Sequence, residues 1–189
     1  MAIQRRYRAG IETRDRILMA LRELLADGGL EGTTIKAICQ QAEIRPGSFY
    51  NLFDSKEEAI VTVVREAIEA VDPDPTREGR DTVEDLVEAY IRFIEDEPAL
   101  ARIYLQMVTT AAKDDHLGGR LLRHHRNRLE RFSDAMARQH PSRDEGTARR
   151  SAEFLLAALN GMTLARALDP SFDFAAHARE LLKERFASG

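Results

Sequence analysis

Residues 46–51, "PGSFYN", put Gly47, Ser48, Tyr50 and Asn51 on a short stretch where an ordinary packed helix would carry apolar side chains. Their types suit contact with a polyanion rather than catalysis. A glycine lets a backbone approach closely, and hydroxyls donate to phosphate oxygens. An asparagine amide pairs in two places with the edge of an adenine. Phe49 and Phe53, four residues apart, are spaced to anchor the same stretch to a core. Pro46 fits a first helical position, where its missing N–H would have no partner in any case.

Catalytic groupings are not found elsewhere. His116, His124 and His125 fall near one helix, but adjacent residues on a helix point about 100° apart, so the last two do not share a metal and are read as solvated. His177 and Glu180 are one turn apart and read as a surface pair. No Glu-x-x-His, His-Glu-x-x-His, Gly-x-Ser-x-Gly or phosphate-binding glycine loop occurs. The chain is therefore read as not an enzyme, with no cofactor and no metal. Cys39, the single cysteine, reads as a small buried hydrophobe in a reducing cytoplasm.

The elements that must position residues 46–51 are all helical, because three- and four-residue spacing recurs from end to end without sustained alternation. A first helix over roughly 11–27 carries Ile17, Leu18, Leu21, Leu24 and Leu25, and glycines 28, 29 and 32 end it. Thr33 or Thr34 caps a short second helix with Ile35, Ile38 and Ala42 inward, and Pro46 opens the third. Ser55, followed by Glu57 and Glu58, starts a longer fourth helix to Val71. "DPDPTREGRD", residues 72–81, is the strongest linker candidate. Further helices are expected near 82–96, 98–112, 115–139, 145–168 and 172–186, about nine in total. The expected division is 1–54 for a three-helix unit and 55–189 for a larger helical unit, with helix 55–71 connecting them.

Charge is uneven along this chain of net charge −4. Residues 1–56 hold nine Lys/Arg against seven Asp/Glu, with Arg5, Arg6, Arg8, Arg14 and Arg16 as a basic arm or a frayed, solvated terminus. No apolar run approaches the roughly 20 residues that cross a bilayer, and no secretory signal is read at the N-terminus.

A short helix, a turn and a second short helix backed by a longer one form a helix-turn-helix unit. The ordered stretch "TTIKAICQQAEIRPGSFYNLFDSKEEAI", residues 33–60, resembles the signature of the TetR family of bacterial transcriptional regulators. That resemblance covers about residues 13–60. It implies that Thr34 and Lys36 meet phosphates, that Tyr50 and Lys56 clamp the DNA backbone, and that Gly47, Ser48 and Asn51 lie nearest the bases of a double-stranded operator. Two residues depart from the family pattern: Glu43 stands where glycine is usual in the turn, and Arg45 where a Ser or Thr cap is common, adding a phosphate-seeking cation.

The remaining chain gives two more expectations. "RRSAEFLLAALNGMTLARALD" carries Ala157, Gly161 and Ala165 at four-residue spacing beside Leu155, Ala158 and Met162, and the last helix adds Ala178 and Leu182. These read as a homodimer interface or as an intramolecular bundle; the resemblance implies a four-helix bundle made by the last two helices of each subunit. Tyr90, Phe93, Tyr104, Met107, Phe132 and Met136 read as plain core or as a cavity wall, with Asn160 and Thr163 as polar groups inside it. The resemblance implies a small, largely apolar effector there. The expected function is thus a dimeric, effector-released repressor in the cytoplasm; the alternative is a helical protein-interaction adaptor that does not bind DNA.

Overall fold

The computed structural model describes residues 2–76, 78–110, 115–142 and 144–186, without the side chains of 2–6, 110 and 115–117. Arg5, Arg6 and His116 therefore lie outside the described side chains, and the expected helical residues 111 and 112 outside the described residues. Among those described there are nine helices and no strand, and the chain divides between Glu66 and Ala67 into two compact units.

The first unit holds α1 (Ala2–Gly32), α2 (Ile35–Gln41), α3 (Pro46–Tyr50) and the start of α4 (Lys56–Ala70). α1 begins at residue 2 rather than near 11, so the basic arm is a helical extension of the first helix. Of the three glycines expected to end this helix, only Gly29 interrupts it, at φ 59° and ψ −159°, a conformation open essentially to glycine alone. Thr33 is buried and donates its hydroxyl to the Gly29 carbonyl at 2.7 Å, leaving Thr34 as the cap of α2. Ile17, Leu21 and Leu25 of α1 are buried in this unit, as are Ile38, Phe49 and Ile60.

The second unit holds α5 (Val83–Asp96), α6 (Pro98–Thr110), α7 (Asp115–Gln139), α8 (Glu145–Leu168) and α9 (Phe174–Arg185). α7 packs most extensively on α8, while α5 touches α6, α7 and α9. Caps set several starts. Thr82 and Asp85 form a reciprocal capping box at α5, and the Asp144 and Asp173 carboxylates accept backbone N–H groups at the starts of α8 and α9.

The stretch 72–81, expected as a linker, is held to this unit through its described residues. Asp74 is buried and accepts the backbone N–H groups of Glu78 at 3.0 Å and Gly79 at 2.7 Å, which hold its carboxyl below the usual range. Arg131 of α7 donates to both oxygens of Asp72, at 2.6 and 2.5 Å, and to Asp81 at 2.5 Å. Arg138 adds a contact of 2.8 Å to the other oxygen of Asp81, whose side chain is buried. Two arginines thus balance two carboxylates, and the segment is clamped to α7.

The hydrogen bond from Arg131, with the attraction of its charge, holds the Asp72 carboxyl below its ordinary value of 3.8 despite the opposing cost of burial. The stability this provides is complete above that ordinary value and is lost as pH falls through the lowered folded value. We expect Asp72→Asn to cost about 2 kcal/mol at neutral pH and to flatten the fall in stability on acidification. Urea melts from pH 7 down to pH 2 check both.

Candidate nucleic-acid interface and helical cavity

α2 ends in a hydrogen-bonded turn that fixes the direction of α3. The N–H of Ile44 reaches the Cys39 carbonyl at 2.9 Å and that of Glu43 reaches the Gln40 carbonyl at 3.2 Å, a pattern that needs a left-handed residue between them. Glu43 fills this place at φ 52°, the single positive φ outside glycine among the described residues. Arg45, extended, then precedes Pro46 without capping α3 through its side chain.

α3 is held from one side. Phe49 is fully buried, its ring 5.7 Å from that of the buried Phe53 and edge-on to Tyr50 at 5.6 Å. On the other side Gly47, Tyr50 and Asn51, at i, i+3 and i+4, are all exposed, Tyr50 by 55 %. A Cβ on Gly47 would meet nothing within 4 Å, so open space lies over it. Ser48 is half-buried, and Arg45 is exposed at the start of the same helix.

Flanking residues are placed as follows. Thr34 and Lys36 are exposed, and the Thr34 hydroxyl oxygen accepts the Ala37 N–H at 3.1 Å, leaving its own hydrogen free to donate. Lys56 is half-buried, with its amine 3.4 Å from the Leu30 carbonyl. In the arm, Arg8 pairs with Glu12 and Arg14 with Glu66, whereas Arg16 is exposed. Burial pushes the Cys39 thiol up, which makes it unreactive.

The second unit contains a cavity of about 80 Å³, walled by Leu86, Tyr90, Phe93, Tyr104, Phe132 and Thr163 among others. Of the expected wall residues, Met107 and Met136 are buried but do not line it. Asn160 does not line it either, but accepts the Tyr90 hydroxyl at 2.9 Å; Thr163 sits 3.3 Å from the same hydroxyl and donates to the Leu159 carbonyl at 2.8 Å. Arg128 and Arg131 of α7 also line it and were not among the expected residues. The signal was present for Arg128: it stands seven residues after Leu121 and four before Phe132, on the buried stripe of α7.

Three of the expected interface residues are buried in the single chain. Leu155, Ala178 and Leu182 point into the unit's own core. Ala157 and Gly161 are exposed, Ala158, Met162 and Ala165 half-buried, and the outer face of α8 is completed by Phe154, Leu164 and Leu168, exposed by 53 %, 52 % and 78 %. Two histidines also differ from expectation, while His125 is exposed as expected. His124 is half-buried, edge-on to Tyr104 at 5.9 Å, and His177 stacks on Phe172 and contacts the Asp173 carbonyl rather than Glu180. Among the described residues, no three His, Cys, Asp or Glu side chains gather as metal ligands, and no helix is long and apolar enough to cross a membrane.

Comparison with known proteins adds to this geometry. Residues 17–60 match the family of bacterial regulatory proteins of the tetR type, and residues 79–188 match the C-terminal region of BetI-type transcriptional repressors. The HTH-type transcriptional regulator UidR of Escherichia coli K12 is 42% identical over 52 residues, 28% of this chain and 26% of that protein. The chain thus matches about a quarter of the length of that relative. The HTH-type transcriptional repressor KstR of Rhodococcus jostii is 26% identical over 142 residues, covering 71% and 64% of the two chains. In fold, a TetR-family regulator from Agrobacterium tumefaciens superposes with a TM-score of 0.69 at 21% identity, over 92% of this chain and 97% of that one.

The turn gives a direct test of backbone strain. A left-handed conformation at a residue with a Cβ costs about 1–2 kcal/mol, part of which glycine returns as entropy in the unfolded chain. Glu43→Gly is expected to raise stability by about 1 kcal/mol, read as a higher denaturation midpoint with an unchanged slope.

Proposed function

The chain belongs to the TetR family of bacterial transcriptional regulators, and on that footing we propose that it represses transcription by binding a palindromic operator as a homodimer and releases it when a small molecule enters the second unit. The observation that carries DNA binding is the open face of α3, Gly47, Tyr50 and Asn51, backed by a buried Phe49. A helix of that kind presents its outer side chains to the major groove. Gly47, Ser48 and Asn51 are the base-reading residues in this proposal, and Thr34, Lys36, Arg45, Tyr50 and Lys56 hold the phosphates. KstR and the BetI-type proteins of the C-terminal match are repressors, which supports repression as the sign of regulation. Such a regulator acts in the cytoplasm, where its operator is.

One helix-turn-helix reads few base pairs, so affinity calls for two copies on related half-sites. The outer face of α8 supports a second copy as the partner: Phe154, Ala157, Gly161, Leu164 and Leu168 follow at alternating three- and four-residue steps and remain exposed in the single chain. Two such faces packed together exclude water from a continuous apolar strip.

The coupling we assign runs through α4. This one helix starts at Lys56 in the first unit and carries Ile68 into the cavity wall of the second. A ligand shifts the operator equilibrium only if it binds better to one position of that helix than to the other.

Lys36→Ala is expected to weaken binding about equally to all duplexes and to lower the slope of log affinity against log salt by about 1. Asn51→Ala should instead weaken the operator selectively. No binding of any duplex by the unaltered protein at low salt would favour the protein-interaction adaptor. Leu164→Glu combined with Leu168→Glu should convert a dimer to a monomer in sedimentation equilibrium while the helical content is retained.

A further inference from the structure

The cavity beside Tyr90 is mostly apolar, and of the charged groups in its wall, Asp72, Arg128 and Arg131, only Arg128 lacks an ion-pair partner among the described residues. Arg128 reaches into the wall with its guanidinium 4.7 Å from the centre of the Tyr90 ring. Its Nη2 is buried and has no hydrogen-bond partner. The groups it faces are the phenols of Tyr90 and Tyr104, which give its guanidinium hydroxyl oxygens but no carboxylate, and burial pushes the Tyr104 phenol up. Among the described residues, no carboxylate forms an ion pair with Arg128.

The second arginine of the wall is different. Arg131 is bound by Asp72 and Asp81, and Arg138 completes that set as a neutral cluster. No spare negative charge is left in it for Arg128. The Tyr90 hydroxyl is also committed, since its hydrogen goes to Asn160, and the Thr163 hydrogen goes to the Leu159 carbonyl. The unpartnered buried donor thus belongs to a cation that lines the cavity.

Burying a guanidinium without an anion is costly, and a ring face offsets only part of the cost. A site that keeps such a group beside an apolar hollow is matched by a ligand with a carboxylate at one end and hydrocarbon at the other. A cavity of this size falls short of the roughly 150 Å³ that admits benzene, which limits the hydrocarbon to a few carbons. We propose that the effector is a small organic monocarboxylate whose carboxylate pairs with Arg128 Nη2 and whose apolar body lies among Leu86, Phe93 and Phe132. This rests on the reading of the cavity as the effector site and specifies the chemistry that site selects.

The test uses the full chain with sodium propionate and sodium butyrate against propionamide and butyramide, followed by titration calorimetry and thermal melts. The acids should bind saturably and about 10- to 100-fold tighter than their amides, the range set by a hydrogen bond to a charged group. Arg128→Met should remove that preference and, by deleting a buried unmatched cation, leave the ligand-free melting temperature equal or higher. Arg128→Lys, which keeps the charge, should retain preference for the acids and guards against a folding defect in the first variant. Acids and amides binding equally would overturn the carboxylate assignment while leaving the cavity as a ligand site. Binding of neither series would overturn it too, and operator release by a different compound would then show that the effector reading survives. A large fall in the ligand-free melting temperature of Arg128→Met alone would mean the arginine is already satisfied within the fold, which also contradicts the proposal.

Discussion

A five-residue helix has no stability of its own, because helix nucleation costs more than one turn returns. α3 exists through the burial of Phe49 and Phe53 and through the turn that delivers it, and every functional statement about the first unit depends on that anchorage. Truncating a buried phenylalanine typically costs 3–5 kcal/mol, so one such side chain outweighs the missing side-chain cap at Arg45, worth about 1 kcal/mol. Because the hold is on one side only, the opposite side is left with Gly47, Tyr50 and Asn51 and nothing over them. The same turn keeps a residue with a side chain at a left-handed φ, and the fold tolerates it because the two backbone hydrogen bonds and the aromatic anchor fix the geometry around Glu43.

Charge is handled in two ways in the second unit. Asp72, Asp81, Arg131 and Arg138 neutralise one another, tie residues 72–81 to α7 and stiffen one wall of the cavity. Arg128, three residues before Arg131, lies against Tyr90 and Tyr104 and has no ion-pair partner among the described residues. The contrast separates a structural arginine from one left for an outside partner. It also places a recognition group on the helix that packs most closely against α8, whose other face is open.

Much of this was legible in the sequence. The ends of α7 and α8 follow from Gly, Pro and Asp at the breaks, and the helix-turn-helix from the order of Thr34, Pro46, Gly47 and Tyr50. What failed has physical causes. Three glycines look like a helix end, yet only one adopts positive φ, because composition does not reveal which peptide must turn. The stretch 72–81 looks like a linker by composition, while Asp72 and Asp81 pair with arginines fifty to fifty-nine residues away, a pairing that local reading does not see. α8 is apolar on both faces, so periodicity alone does not say which face meets its own chain. Leu155 faces the core and Phe154 faces outward, and only tertiary packing decides between them.

The central claim is that the uncovered face of α3 is shaped for the groove of a duplex. Selection of the full-length protein on a pool of random double-stranded DNA, followed by sequencing, tests it most directly. An enriched inverted repeat with half-sites about one helical turn or a multiple apart is the predicted result. Recovery of a pool no different from the starting mixture at low salt would contradict the account.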